Sequence, residues 1–250
     1  MLSDKSDSSL KNKLEFFEQE TERYERSFYS HPRWAAYRHL AAHSLLPLLP
    51  QSFRVLDVGS GPAPSLPAVF EKAGRYVCLD GSSANLKRLL AHVPGCSAAQ
   101  ADLSGETALP VRGSFDLVII FGLLQYLCHP SLLVEQLASL VKAGGYLLSH
   151  DPSAYWTGRM PPEHGRGFSK EELLELFQGK FKVVWLRSFH HVILERRLSW
   201  LFPRLRLPQT LVRPLWLGIF LLERLLDGIG IRGTDWMLLA QKPKEPSRCA

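Results

Sequence analysis

This sequence predicts a doubly wound α/β fold built on a mostly parallel, seven-stranded sheet, and three observations carry the prediction. Strand-like apolar runs alternate with helical stretches from Arg54 to Ser149. One run, Phe115 to Phe121, is almost wholly apolar, as a strand covered on both faces requires. The run Arg54-Val55-Leu56-Asp57-Val58 leads into Gly59-Ser60-Gly61, a turn and an apolar helix. Glycine at 59 and 61 lets the backbone pass close to a ligand, which a Cβ would obstruct. A strand end, tight turn and helix start in that order put the ligand at the carboxyl edge of a parallel sheet.

The elements follow in order. Residues 1–9 read as a disordered lead, and Leu14, Phe17, Tyr24 and Phe28 then recur at helical spacing. A second helical stretch follows a break at Pro32, from Trp34 to about Leu46, and Pro47 and Pro50 end it. After the strand at Arg54 come a helix from Ser65 to Ala73 and a strand from Arg75 to Leu79 that ends in Asp80-Gly81. A helix from Ser83 to His92 and a short strand near Cys96 to Gln100 lead to Ala101-Asp102-Leu103. Pro130 starts a helix with Leu133, Leu137 and Val141 on one face, and Gly144-Gly145 closes it before a strand from Tyr146 to Ser149. Residues 153–168 read as a loop, and Ser169 with Glu172 forms a capping-box pair for the next helix. Phe181 to Phe189 and Thr234 to Gln241 are the last two strands, separated by an apolar, arginine-containing segment at 191–232. The organisation is one domain: a helical cap (1–50), a ligand-binding core (51–190), an insertion (191–232) and a final strand (233–241), with a disordered tail from Lys242.

Composition narrows the function classes. At 250 residues, 46% hydrophobic and 22% charged, the chain has the make-up of an ordinary soluble protein with a sizeable core. Its net charge of +6 is a mild basic bias. The basic residues are mixed with large aliphatics rather than set in a polar stripe, which argues against nucleic acid. The four cysteines make no C-x-x-C pair and have no histidine at metal spacing, so neither a zinc site nor a disulfide framework is expected. The N-terminal residues are polar, without the apolar run of a signal peptide, and a cytoplasmic, reducing location is expected.

Three readings compete for the glycine turn. It can be a tight turn and nothing more. It can be a dinucleotide site, whose G-x-G-x-x-G pattern this chain breaks with Pro64 in the third position. Or it can hold a nucleoside without phosphates. Asp57 stands where a pyrophosphate would be repelled, and it suits an ammonium group or an ordered water. Asp80 at the second strand end can accept ribose hydroxyls, and Asp102 at the third can meet an adenine amino group. Either acid taken alone also serves as a helix cap or turn residue; three acids at three successive strand ends are more specific.

These residues resemble the class I S-adenosylmethionine-dependent methyltransferases, in the branch that includes small-molecule and quinone- or lipid-modifying enzymes. Val55 to Gly61 is similar to the family's first motif and Leu79-Asp80-Gly81-Ser82 to its ribose-binding acid motif. Ala101-Asp102-Leu103, Leu109-Pro110-Val111, Phe115-Asp116-Leu117-Val118 and Leu140 to Gly145 resemble later motifs, in order, so that the likeness spans roughly Val55 to Pro152. The resemblance implies S-adenosyl-L-methionine as cofactor. Asp57, Gly59, Ser60 and Gly61 would hold its methionine end, and Asp80 with Gly81 its ribose. Asp102 and Leu103 would meet adenine, while Phe121 and Gly122 would line the sulfonium. Ala63 stands for the family's third glycine, and Tyr126 stands near where many relatives carry histidine.

Methyl transfer needs alignment above all, and a base only where the acceptor must lose a proton. His150 and Asp151 directly follow the fifth strand and should open toward the site, with Tyr155 further on. The stretch His164 to Ser169 resembles one that often follows the fifth strand in this branch, which makes His164 and then His150 the candidate catalytic bases. The fourth strand ends in Phe121-Gly122-Leu123-Leu124 without an acid, so no metal is expected. Segment 191–232 carries seven arginines against three acids among Trp200, Phe202, Leu215, Trp216 and Ile219. Its longest uncharged run, Pro214 to Leu222, is too short for the ~20 residues of a bilayer span. The segment suits a peripheral membrane contact, a cover over an apolar acceptor such as a lipid or quinone, or a packed helical insertion. The expected activity is transfer of a methyl group to a small apolar acceptor; a non-catalytic cofactor-binding partner and a dinucleotide-dependent oxidoreductase are the alternatives.

Overall fold

The computed structural model describes residues 32–159, 165–189, 209–230 and 233–244. The helical spacing at 10–28, His164 and the tail from 245 lie outside the described residues. The first described helix, α1 (Pro32–Leu45), begins on the proline that the sequence reading took as a break. A first helical position has no use for the missing N–H, so Pro32 opens the helix instead of preceding it.

The strands are β1 (Arg54–Val58), β2 (Arg75–Asp80), β3 (Ser97–Gln100), β4 (Phe115–Phe121), β5 (Val141–Pro152), β6 (Lys182–Phe189) and β7 (Asp235–Gln241). They make one sheet in the order β3-β2-β1-β4-β5-β7-β6. Pairings from β3 to β5 are parallel, and β7 runs antiparallel between β5 and β6. The strand order reverses between β1 and β4, which is where open α/β sheets leave a crevice at their carboxyl edge.

The helices between strands are α2 (Pro67–Phe70), α3 (Ser83–His92), α4 (Pro130–Leu140), α5 (Lys170–Phe177) and α6 (Gln209–Gly228). Strand side chains alternate between the two faces, and both faces are covered, which explains the continuous apolar runs. Leu56, Val58, Val118 and Ile120 pack with Leu133 and Leu137 of α4 and Leu173 and Phe177 of α5. Their neighbours Val55, Leu117 and Ile119 pack on the other face with Tyr37 and Ala41 of α1, Val69 of α2, and Leu86 and Leu89 of α3. Leu217 and Ile219 of α6 join that second layer. Each fully buried aliphatic side chain stabilises the fold by about 1.5–3 kcal/mol.

Local chemistry moved two boundaries. The helix expected from Ser65 to Ala73 spans only Pro67–Phe70. Pro64 has no N–H, and the Ser65 amide donates to Asp57 instead of entering a helix. Gly144-Gly145 does not close α4, which ends at Leu140; the pair sits inside β5 where its register against β4 shifts. A Cβ on Gly145 would meet three backbone carbonyl oxygens at 2.9–3.1 Å, so only glycine fits. The capping box at Ser169 is complete, with Ser169 accepting from the Glu172 amide and Glu172 from the Ser169 amide.

Candidate functional site

The glycine turn is stitched across the strand ends. Gly59 and Gly61 have φ of +72° and +66°, a left-handed conformation that glycine adopts without strain. The amides of Gly59 and Ser60 donate to Leu79 O at 2.8 and 3.2 Å, which ties the turn to the end of β2. Asp80 closes the clamp. Its Oδ2 accepts from the Gly61 amide at 2.8 Å, and its Oδ1 from the Ser82 amide at 2.8 Å and from Asn85 Nδ2 at 3.2 Å. Burial raises the Asp80 pKa against those three hydrogen bonds. A carboxylate offers about four lone-pair sites, so one remains for an incoming hydroxyl.

Asp57 departs from expectation. It is fully buried and turns away from the ligand side of the turn. Its Oδ1 accepts from Ser65 Oγ at 2.8 Å, and its Oδ2 from the Ser65 amide and the Tyr76 hydroxyl, both at 2.7 Å. Asp57 therefore fixes both ends of the loop rather than presenting a free carboxylate. Burial pushes its pKa up to about 6, opposed by these hydrogen bonds and by the Arg38 guanidinium of α1. Arg38, buried beside the turn, is a functional candidate the sequence reading missed. Only the folding of α1 over the strand ends brings it there.

Asp102 is exposed beyond β3, where Oδ1 accepts from the Ser104 amide and Oδ2 from Ser104 Oγ and Thr107 Oγ1. Leu103 beside it is buried. Across the crevice, Phe121 ends β4, and Gly122 (φ +63°) donates to His150 O at 2.7 Å. Leu123 then packs against the turn, so a Cβ on Gly59 would stand 3.2 Å from its side chain. Gly81 stays near β3 through its carbonyl, which accepts from Gln100 Nε2 at 2.9 Å.

His150 and Asp151 were expected to open toward the site, and both are buried. The His150 ring sits among Trp34, Tyr37 and Phe121, with centroids 5.6, 5.2 and 5.4 Å away. Trp34 and Tyr37 belong to α1, which closes an aromatic wall over the strand ends. On the opposite face of β5, Asp151 takes Ser149 Oγ at 2.6 Å on Oδ2 and also faces the amides of Leu124 and Gln125 in the turn after β4. Burial pushes the Asp151 pKa up to about 7, opposed by the Ser149 hydrogen bond and the nearby amides, while Oδ1 has no hydrogen-bond partner. Tyr155 lies outside, under the Arg159 guanidinium at 4.2 Å. Among the described residues no group of three or more His, Cys, Asp or Glu could hold a metal ion.

The structure thus gathers the Gly59–Gly61 turn, Asp80, Phe121 and Gly122 at one crevice, with Asp102 and Leu103 at its β3 end. Two buried acids at the turn disfavour a pyrophosphate, and the left-handed glycine turn with an acceptor site at Asp80 suits an uncharged or cationic nucleoside.

Comparison with known proteins gives the family and the fold. A family model described as a methyltransferase domain matches residues 29–204. No curated protein matches the chain. Among solved structures, the chain is similar to the N-methyltransferase NodS from Bradyrhizobium japonicum, determined with S-adenosyl-L-homocysteine, at 12% identity and TM-score 0.61 over 91% of this chain and 99% of that one. It is similar to an S-adenosylmethionine-dependent methyltransferase from Mesorhizobium loti at 16% identity and TM-score 0.57 over 86% and 100%. The cyclase SpnF has the same fold at 17% identity and TM-score 0.60 over 85% and 82%. At these identities the structural likeness carries the fold.

Proposed function

The chain belongs to the methyltransferase-domain family, and from that premise we propose that it is an S-adenosylmethionine-dependent enzyme acting on a small apolar acceptor. The observation that carries the reading is the Asp80 clamp, which pins the glycine turn at the switch between β1 and β4. The residues present fit the cofactor. Asp80 keeps one lone pair for ribose hydroxyls, with Gly81 beside it. The backbone of Gly59, Ser60 and Gly61 would hold the methionine end, whose carboxylate the Arg38 charge would complement. Asp102 and Leu103 would meet adenine, and Phe121 and Gly122 would border the sulfonium. Asp57 acts through the turn it fixes. When bound, the cofactor supplies a methyl group for in-line displacement. The protein orients the acceptor and keeps water out, and the wall of Trp34, Tyr37 and His150 serves that second task. His164 stays the first residue to test as general base, since His150 is enclosed in that wall.

Helix α6 supports an apolar acceptor met at a membrane surface. Leu215, Leu222 and Leu225, with Ile229 just past its end, form an exposed stripe, from 44% exposed at Leu215 to 74% at Ile229. Among the described residues no helix is long and apolar enough to cross a membrane.

Calorimetry with S-adenosylhomocysteine tests the assignment. The full chain binds it and does not bind NAD, and Asp80→Ala weakens binding about ten- to a hundredfold, the worth of a hydrogen bond to a charged group. Unchanged affinity in that variant refutes the assignment. Labelled cofactor with an apolar small-molecule extract separates an enzyme from a non-catalytic binder: the first yields labelled product and the second none.

A further inference from the structure

We propose a second ligand site, for a phosphate ester with an apolar body, at the opposite edge of the sheet. A groove of about 640 Å³ opens where β1, β2, β3 and β4 begin. At ~3.3 Å per strand residue it lies roughly 15 Å from the glycine turn, so it is independent of the cofactor reading. Its floor is apolar and includes Val77, Leu109 and Phe115. Its charged lining is Arg54, Arg75 and Arg112, with no carboxylate among them.

The arginines are set for an anion. Arg54 and Arg75 are register partners on neighbouring parallel strands, so their side chains leave the same face. Strands lie ~4.8 Å apart, and like charges directly opposite are destabilising. Among the described residues neither guanidinium has an ion pair. Asp116, next to Phe115 on β4, is committed elsewhere: Oδ2 accepts from the Arg54 amide at 2.9 Å and Oδ1 pairs with Lys142 at 3.3 Å. Arg54 Nε is buried without a hydrogen-bond partner. The Arg54 guanidinium carbon stands 5.2 Å over the Phe115 ring centroid, and the group lies against Gly113, where a Cβ would come within 3.2 Å of it.

A planar fork beside a second guanidinium matches the paired oxygens of a phosphate. The volume is that of a small-molecule pocket and exceeds the need of a bare ion. The apolar floor takes the body of the ester. Such a group comes from a soluble phosphate ester or from a lipid headgroup.

Titration calorimetry of the full chain with phenyl phosphate, inorganic phosphate, and phosphatidylcholine vesicles with and without phosphatidic acid tests the site. Phenyl phosphate, or the phosphatidic acid vesicles where the source is lipid, binds saturably and at least tenfold more tightly than inorganic phosphate. Arg54→Gln with Arg75→Gln lowers that affinity at least tenfold. Arg112→Gln, on an exposed loop position, gives a smaller loss and guards against misfolding of the strand variant; both are checked by thermal unfolding. No saturable binding of either probe overturns the proposal, as does equal affinity in the folded arginine variants. Inorganic phosphate binding as tightly as phenyl phosphate overturns it too, because the floor would then contribute nothing.

Discussion

Replacing Asp151 with asparagine should change how stability depends on pH. The unfolded carboxyl ionises near 3.8, and in the folded protein burial moves that to about 7. Below the unfolded value both states carry the proton and the group has no effect. Between the two values the folded state alone keeps its proton, so stability falls as pH rises, and above about 7 the whole penalty is present. Some three pKa units at 1.36 kcal/mol each set an upper bound of about 4 kcal/mol. Asparagine cannot ionise, yet its carbonyl can face the Leu124 and Gln125 amides while its NH₂ donates to Ser149 Oγ. Asp151→Asn should therefore gain on wild type by up to about 2.7 kcal/mol as pH rises from 5 to 8.5, or about 5–11 °C in Tm for a chain of this size. Urea unfolding of both proteins at several pH values measures that difference. Asp57, also raised to about 6, contributes to both curves and cancels. Parallel pH profiles for the two proteins would refute the reasoning.

Two further predictions concern the site and a third the exposed stripe of α6. Gly59→Ala forces a side chain into a left-handed backbone (φ +72°) and against Leu123, so it should cost about 1–2 kcal/mol in urea unfolding and weaken S-adenosylhomocysteine binding. An undisturbed variant would mean that the turn relaxes freely. Arg38→Met, which keeps most of the buried volume, should weaken that binding about tenfold or more by calorimetry; equal affinity would detach Arg38 from the cofactor. Leu225→Gln with Ile229→Gln, on the exposed stripe at the end of α6, should reduce co-sedimentation with anionic liposomes and leave Tm within about 2 °C. Failure of the wild-type chain to sediment would end the membrane reading.

The crevice was legible because its signals are local. An apolar run buried on both faces, a glycine pair at a strand end and an acid at the next strand end are each read within a few residues, since strand pleat and turn sterics act at that range. Thus β1, β2 and β4, the Asp80 position and the capping box at Ser169 stand where the pattern puts them. The same reach explains the errors. The Ser65–Ala73 helix was overdrawn because the claim of Asp57 on the Ser65 amide crosses the turn, and no periodicity records it.

What lay beyond the one-dimensional pattern is the partnering of buried polar groups. Asp57 faces Ser65 and Tyr76 rather than a ligand because burial demands acceptors for those donors, and Tyr76 arrives from another strand. His150 and Asp151, adjacent in the chain, leave opposite faces of β5. One meets the aromatic wall brought by α1, the other the turn after β4. The pairing of Arg54 with Arg75 exists only in the register of β1 against β2. Residue types and their spacing were enough to put the glycine turn at the carboxyl edge of the sheet, and the family resemblance they carry named the donor. Which side chains face that donor, which brace it and which charges lack partners was decided when distant segments were packed together, because burial sets those costs.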